Sequence, residues 1–351
     1  MESIQRYLEL SVKENATDIF LVAGKPVSFK QAGMLIPIGE ERLMPKDSSV
    51  LVKELYALAG RSLPEKISMW DDDFALSLPG LARFRVNAYL QRGSLSAVIR
   101  VVQFGIPDWK ERGLPEEVMK IAERTRGLVL VTGAAGSGKS TTLACIVNAI
   151  NYNRSAHIIT IEDPIEYLHR DEKSIVSQRE LNMDTESYVT ALRASLRQAP
   201  DVILLGEMRD LDTIQTAMTA AETGHLVIST LHTVNAASTV DRIIDVFPPS
   251  QQQQIRIQLA QVLKTVVSQQ LLRSEDGKLV PAFEIMHLNN AIRNLVRESR
   301  NHQIDAAIQA GASEGMISMD ESILRLTKAG KISKETALQH AMNPEQMQRK
   351  L

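Results

Sequence analysis

The sequence has little cysteine, few aromatic residues and no strong excess of charge. Cys145 is the one cysteine among 351 residues, which excludes an intramolecular disulfide framework and a metal site built from several cysteines. Aromatic residues make up 4% of the chain, and its formal net charge is −2. No global positive field exists to attract nucleic acid or anionic lipid. We therefore predict that nucleic acid is not a partner.

The chain also lacks long apolar runs. None reaches about 18 consecutive apolar residues, the length that a membrane-spanning helix requires, and residues 1–18 contain no apolar stretch of signal-peptide length. Hydrophobic residues make up 44% and charged residues 23%, a balance typical of soluble globular proteins of two or three domains. We predict a cytoplasmic protein that contacts a membrane only through a partner.

Residues 1–103 are predicted to form a small α/β domain. Ile4, Leu8 and Val12 recur at helical spacing, so the domain is expected to open on an amphipathic helix. The segments 82–89 and 95–100 alternate polar and apolar residues, a pattern typical of strands with one buried face. Residues 104–115 contain two prolines and two glycines and are predicted to be a linker.

A different pattern extends from residue 116 to residue 351. Apolar runs at 128–131, 157–161, 202–205 and 226–229 alternate with helical stretches, which predicts a parallel sheet covered by helices on both faces. After two prolines at 248 and 249, helices are expected to continue to the end of the chain, including a helical segment at about 270–351. A long helix is predicted to carry on one face Ile255, Leu259, Val262, Leu263, Val266 and Val267.

A phosphate-binding loop is the most specific motif of the sequence. Residues 133–140 fit the pattern G-x-x-x-x-G-K-[S/T], with an apolar run before them and a helix-forming run after them. Such glycines let successive backbone N–H groups face one anion at the positive end of a helix. Lys139 is predicted to bind the β- and γ-phosphates of ATP, and Ser140 to ligate Mg²⁺. The predicted ATP-binding residues are Gly133, Ala134, Ala135, Gly136, Ser137, Gly138, Lys139, Ser140 and Thr141.

Carboxylates follow two of the four apolar runs. Glu162, Asp163 and Glu166 come after the second run, and ligands in such sheets bind beyond the carboxyl ends of strands. One of these acids would polarise the attacking water, and the alternative is a solvated acidic turn. Glu207 follows the third run, but Gly206 occupies the place where such strands usually carry a magnesium-binding aspartate. Glu207 is therefore expected to contact Mg²⁺ through a bound water.

Two histidines, His225 and His232, flank the fourth apolar run. Either one alone is better explained as a structural residue. In combination with the phosphate loop and the acids, they point to an active site that hydrolyses ATP.

In this order the four motifs resemble those of the secretion ATPases of type II secretion and type IV pili. The resemblance covers nearly the whole chain. It implies that Glu166 is the catalytic glutamate, Glu207 the Walker B glutamate, and His225 and His232 the residues of a histidine box. It also implies a PAS-like N-terminal domain, a RecA-like C-terminal domain, a homohexameric ring and an inner-membrane platform protein as partner.

Two features indicate the branch of this family that retracts pili. Extension and secretion branches usually carry a four-cysteine zinc module, which a chain with one cysteine cannot form. The octapeptide at 291–298 differs from the retraction signature only by Val296 in place of isoleucine. The segments 184–188 and 197–200 resemble instead an accessory paralogue of the retraction ATPase. This paralogue stays open as an alternative identity, and a paralogous ATPase is also a candidate partner.

Two further classes stay open. A RecA-like nucleic-acid motor would share the phosphate loop and the ring, but it normally needs a basic surface that carries aromatic residues. A ring that binds ATP without hydrolysing it would lose the carboxylates, and every expected carboxylate is present.

Arg83, Arg85 and Arg100 lie on strands predicted in the N-terminal domain. Their guanidinium groups suit the charge of a phosphoryl transition state, and in a ring they would reach the nucleotide of a neighbouring subunit. The alternative is that these arginines pair with the aspartates at 71–73 on a neighbouring strand.

Overall fold

The computed structural model describes residues 2–31, 33–63 and 71–351. Contacts along the chain divide it into two compact units. The first unit contains Met1–Gly105 and Glu166–Leu168, and the second contains Ile106–Ile165 and His169–Leu351. Among the described residues, no helix combines the length and apolar character needed to cross a bilayer.

Residues 106–115, for which the sequence predicts a linker, group with the second unit. Leu114 is buried there, and Ile106 and Trp109 pack against the same hydrophobic cluster. The segment is therefore fixed to the second unit by apolar contacts.

The first unit contains a six-stranded antiparallel sheet in the order β3-β2-β1-β6-β5-β4, against which α2 packs. Its elements are α1 (Ile4–Lys13), β1 (Asp18–Leu21), β2 (Ser28–Gln31), β3 (Met34–Pro37), α2 (Pro45–Leu58), β4 (Asp72–Leu78), β5 (Ala82–Gln91) and β6 (Ser94–Gln103). The opening helix and the two strands predicted from periodicity are confirmed. On β5, Phe84 and Val86 are buried in the core, while Arg83 and Arg85 alternate with them and are partly exposed.

The second unit alternates strands and helices along most of its length and ends in short helices. Its strands are β7 (Gly127–Thr132), β8 (His157–Glu162), β9 (Ile175–Glu180), β10 (Val202–Leu205), β11 (Leu226–Leu231), β12 (Leu263–Arg273) and β13 (Leu279–His287). Its helices are α3 (Glu116–Met119), α4 (Lys139–Asn153), α5 (Tyr188–Ser195), α6 (Leu211–Glu222), α7 (Ala236–Asp245), α8 (Pro249–Val262), α9 (Asn290–Arg297), α10 (Ile304–Ala310), α11 (Met319–Lys328), α12 (Lys334–His340) and α13 (Pro344–Lys350).

The sheet of the second unit has the order β13-β12-β7-β11-β10-β8-β9, and its strands are parallel except β13. The four apolar runs form β7, β8, β10 and β11, as predicted. Leu128 and Leu130 of β7 belong to the core on one face, whereas Val129 and Val131 belong to the core on the other. Because both faces are covered, these strands are apolar throughout. The carboxyl ends of the parallel strands meet at one edge, where such sheets bind ligands.

The predicted long helix over residues 255–267 is wrong. Helix α8 ends at Val262, and residue 263 begins β12, which pairs with β7 on one side and β13 on the other. The buried apolar residues of β12 come from both faces, so they lack the period-two pattern of a half-buried strand. Strand β13 likewise replaces part of the helical segment expected at about 270–351, and helices resume at α9.

Helix α9 contains most of the octapeptide at 291–298. Asn289 caps it by accepting a hydrogen bond from the backbone N–H of Ile292 (3.0 Å). Ile292 and Val296 are buried in the core, and Leu295 packs partly buried against it. Arg293 Nε donates to the backbone oxygen of Ala260 in α8 (3.1 Å), so this arginine helps to hold α9 in place.

Candidate nucleotide site

The phosphate loop connects β7 to α4 at the carboxyl edge of the sheet. Strand β7 ends at Thr132 and α4 begins at Lys139, as the motif predicts. Gly133, Gly136 and Gly138 have φ angles of 144°, 77° and 90°, a region that favours glycine. The N-terminus of α4 opens on this loop, so its unpaired N–H groups are available to an anion.

Close packing also requires two of these glycines. A Cβ atom at Gly133 would overlap the backbone oxygen of Gln269 and would lie 2.6 Å from Ser137 Oγ. A Cβ atom at Gly138 would lie 2.8 Å from Gln269 Nε2. Ser137 Oγ is buried and has no hydrogen-bond partner among the described residues, so the loop holds a hydroxyl suited to a ligand oxygen.

The other predicted loop residues are accessible. Ala134, Ala135 and Gly136 form an exposed tip, and Ser140 and Thr141 are partly exposed in the first turn of α4. The cradle thus opens to solvent on the side where a nucleotide would enter.

The ammonium group of Lys139 is held by the loop itself. Its Nζ donates hydrogen bonds to the backbone oxygens of Gly133 (2.8 Å) and Ala134 (2.9 Å). Nζ also lies 3.5 Å from Nδ1 of His232. A phosphate would compete with neutral carbonyl oxygens for this cation, and an anion is the stronger acceptor. The geometry therefore fits the predicted phosphate-binding role of Lys139.

His232 joins the phosphate loop to the Walker B segment. Its Nε2 lies 3.5 Å from Glu207 Oε1, while its Nδ1 faces Lys139. A neutral imidazole with its proton on Nε2 satisfies both contacts, because Nδ1 then accepts from the ammonium. Arg209 Nε donates to the other carboxylate oxygen of Glu207 at 2.7 Å. Three motifs that are distant in sequence thus meet through Lys139, His232 and Glu207.

The second predicted histidine lies elsewhere. His225 precedes β11, whereas the phosphate loop lies beyond the carboxyl ends of the strands, and β11 has six residues. A strand of this length extends for about 20 Å. Nδ1 of His225 contacts the backbone oxygen of Ala220 (2.9 Å) and Thr223 Oγ1 (3.2 Å) at the end of α6. In the described structure His225 thus contacts the end of α6 and not the phosphate loop, and its role in the histidine box stays a prediction.

The three acids at and after the end of β8, Glu162, Asp163 and Glu166, have different environments. Glu162 ends β8, and its Oε1 accepts from Thr160 Oγ1 (2.6 Å) and Gln178 Nε2 (3.2 Å). Asp163 is exposed next to it. Glu166 is also exposed, but it groups by contacts with the first unit, together with the two residues after it. The role of Glu166 as catalytic glutamate stays a prediction.

Tyr188 lies beside Gly206, the position where such strands usually carry an aspartate. A Cβ atom at Gly206 would lie 2.6 Å from the hydroxyl oxygen of Tyr188. Burial raises the pKa of Tyr188 well above its usual value, and the charges of Asp163 and Glu207 raise it further. Its phenol therefore stays protonated and remains a hydrogen-bond donor at this edge of the sheet. Tyr188 was not identified from the sequence, and the departure at Gly206 was the one available signal.

Arg83 and Arg100, two of the three candidate arginines of the first unit, make polar contacts within its sheet. Arg100 Nε donates to Asp18 Oδ1 at 3.0 Å, and Arg85 lies directly opposite Arg100 in the β5–β6 register. Arg83 Nη1 lies 3.5 Å from Ser77 Oγ. The described partner of Arg100 is therefore Asp18, which is not among the aspartates at 71–73.

A buried carboxylate lies behind the phosphate loop. Glu284 Oε1 accepts from the backbone N–H of Ala236 at 2.7 Å, just after the histidine box. Ser268 hydrogen-bonds to Glu284 and accepts from Thr132 Oγ1 (3.0 Å), the residue before the loop. The pKa of Glu284 is raised to about 7, mainly by burial and also by the charge of Asp305, while the hydrogen bonds to the carboxylate lower it.

This shift predicts a pH dependence of stability. Between the ordinary glutamate pKa of 4.5 and about 7, the folded protein binds more protons at Glu284 than the unfolded chain does. The free energy of unfolding should therefore fall as pH rises through this window, by about 3 kcal/mol in total. Glu284→Gln keeps the shape without the charge and should remove this fall. Urea denaturation from pH 5 to pH 8 measures it, with exposed Glu298→Gln as control, and equal slopes in wild type and Glu284→Gln would contradict the assignment.

The chain is similar to proteins of type IV pilus machines along nearly its whole length. Residues 1–345 match the family model described as type II/IV secretion system protein. The chain is 43% identical to the "Type IV pilus retractation ATPase PilT" of Pseudomonas aeruginosa. The match extends over 342 residues, which are 97% of this chain and 99% of that protein. It is 38% identical over 338 residues to the "Type IV pilus ATPase PilU" of the same organism, covering 96% of this chain and 88% of that protein.

A solved structure has the same fold. It is described as "Crystal Structure of the Pilus Retraction Motor PilT and Bound ADP" and is 42% identical, with a TM-score of 0.89 over 99% of this chain and 100% of that one. The family match over residues 1–345 and the 43% identity over 97% of the chain show that this protein belongs to the type II/IV secretion system protein family, as one of its ATPases.

Proposed function

We propose that this chain is an ATP-hydrolysing motor that powers type IV pilus retraction. The observation that carries the proposal is the contact between Lys139, His232 and Glu207, which gathers three motifs of an ATPase at one edge of the sheet. The similarity to a retraction ATPase over almost its full length supports the retraction role. The similarity to PilU is lower, and an accessory retraction ATPase is the second candidate.

The site residues take distinct roles in this proposal. The backbone of residues 133–138 and the N-terminus of α4 bind the phosphates, and Lys139 exchanges its carbonyl partners for phosphate oxygens. Ser140 would hold Mg²⁺ directly and Glu207 through a water, and the metal would neutralise charge on the phosphates. Glu166 and Glu207 would orient and polarise the attacking water, with His232 fixing the Glu207 carboxylate.

The working form in this proposal is a homohexamer with ATP at its subunit boundaries. Arg85 and Arg100 lie opposite each other on β5 and β6 and would reach the nucleotide of a neighbouring subunit. The ring would act at the cytoplasmic side of the inner membrane, on a platform protein of the pilus machine and alongside a paralogous ATPase. Exposed Arg297, at the end of α9, is a candidate contact for that platform.

Binding and hydrolysis should separate in single variants. Lys139→Ala should weaken ATP binding by about 10- to 100-fold, because a charge-assisted hydrogen bond to phosphate is lost. Glu207→Gln and Glu166→Gln should bind ATP normally but release phosphate about 10²- to 10⁴-fold more slowly. Titration with a fluorescent ATP analogue and a phosphate-release assay measure the two effects, with exposed Glu222→Gln as control. Turnover at the wild-type rate in both glutamate variants would remove these acids from the mechanism.

Mixed rings test whether the arginines act across subunits. Arg100→Ala and Lys139→Ala should each be inactive alone, and an equimolar mixture should recover part of the ATPase activity, because some boundaries then combine intact Lys139 and intact Arg100. Asp18→Asn is the matched control, since it breaks the same Arg100–Asp18 ion pair but keeps the guanidinium. If Asp18→Asn is as inactive as Arg100→Ala, or if the mixture stays inactive, the arginine does not act in trans.

Counting surface pili tests the direction of the motor. Cells whose chromosomal copy carries Glu207→Gln should accumulate pili and stop twitching, because assembly continues without retraction. Loss of pili would instead indicate an extension motor. An unchanged number of pili would favour the accessory candidate.

A further inference from the structure

The strand β12 supports the phosphate loop from its inner side. The β12–β7 ladder ends where Ser268 pairs with Thr132, and the loop begins at the next residue of β7. The next residue of β12 is Gln269, which is 3% exposed. Backbone pairing between β12 and β7 thus ends at Ser268, and the next residue, Gln269, lies against the phosphate loop.

Gln269 contacts both ends of the loop. Its backbone oxygen packs so closely on Gly133 that no Cβ atom fits there. Its side-chain Nε2 lies 2.8 Å from the position of a Cβ atom at Gly138. Its Oε1 accepts a hydrogen bond from Thr142 Oγ1 at 2.7 Å, and Thr142 is fully buried in the first turn of α4.

This arrangement bears on nucleotide affinity. Three residues of the loop have φ angles that glycine adopts without strain, and glycine has the largest conformational freedom to lose. A loop that is free to move would lose this freedom when phosphate binds, which weakens binding, whereas a loop already held in place would not. Through its contacts with Gly133, Gly138 and Thr142, Gln269 fixes both ends of the loop and the first turn of α4 to the buried strand β12.

We infer that Gln269 is a positioning residue that keeps the phosphate loop in its phosphate-binding conformation. The inference rests on the proposed role of residues 133–140 in binding ATP. Gln269 does not itself touch the phosphates in this account, since it acts through Gly133, Gly138 and Thr142.

The chain offers a matched control in the next residue. Gln270 has the same side chain on the same strand, but its Oε1 lies 3.4 Å from His340 Nδ1 in α12, away from the loop. Gln269→Leu and Gln270→Leu therefore make the same chemical change on opposite sides of β12. Thr142→Val removes the hydrogen bond to Gln269 with almost no change of shape, so it tests the contact even if Gln269→Leu does not fold.

The experiment measures the dissociation constant of a fluorescent ATP analogue and the steady-state ATPase kinetics of the full chain. Gln269→Leu and Thr142→Val should each raise the dissociation constant and KM about three- to tenfold, the loss expected for one buried hydrogen bond. Their kcat at saturating ATP should stay within about twofold of wild type, because the catalytic groups are untouched. The double variant should bind no more weakly than Gln269→Leu alone, and Gln270→Leu should bind like wild type.

Lys139→Ala, measured in parallel, separates this inference from the proposed function. If Lys139→Ala binds weakly while Gln269→Leu and Thr142→Val bind like wild type, Gln269 is not a positioning residue. The same conclusion follows if Gln270→Leu weakens binding as much as Gln269→Leu, since the effect is then one of general stability. If Lys139→Ala itself binds like wild type, the loop does not hold the phosphates, and both the site and this inference fail.

Discussion

The candidate nucleotide site depends on the backbone path between Thr132 and Lys139. This path needs three glycines with positive φ angles, and it leaves room for no side chain at the first of them. Such a backbone persists only when its surroundings fix it, and here a buried central sheet lies on one side and a long helix on the other. The parallel order of the sheet then brings the ends of β8, β10 and β11 to the same edge.

Charge balance at this edge connects the loop to the other motifs. In the structure, Lys139 is satisfied by two carbonyl oxygens and by His232, and Glu207 is satisfied by His232 and Arg209. Each of these contacts is of a kind that phosphate or hydrated metal can replace. The site thus contains the cation, the carboxylate and the hydroxyls that nucleotide chemistry requires.

The sequence predicted the parts of this arrangement that depend on local patterns. Period-two alternation found β5 and β6, apolar runs found four parallel strands, and motif spacing found the loop. The sequence alone could not show contacts between residues that are far apart along the chain. Strand β12 is buried on both faces, so its sequence resembled a continuation of α8. For this reason the contact of Gln269 with the phosphate loop could not be predicted. His225 and His232 were predicted to flank one strand of a histidine box, and only the structure shows that it is His232 that contacts Lys139 and Glu207. Tyr188 lies in the segment 184–188, whose pattern did not indicate its position beside Gly206.

A structure of the full chain with Mg²⁺ and a non-hydrolysable ATP analogue would show whether the phosphate loop binds nucleotide in the conformation described above. We expect Lys139 Nζ to leave the oxygens of Gly133 and Ala134 for the phosphates, while the loop backbone and the Thr142–Gln269 hydrogen bond remain unchanged. A nucleotide bound elsewhere, or a phosphate loop that refolds around its ligand with the Thr142–Gln269 bond broken, would contradict this expectation.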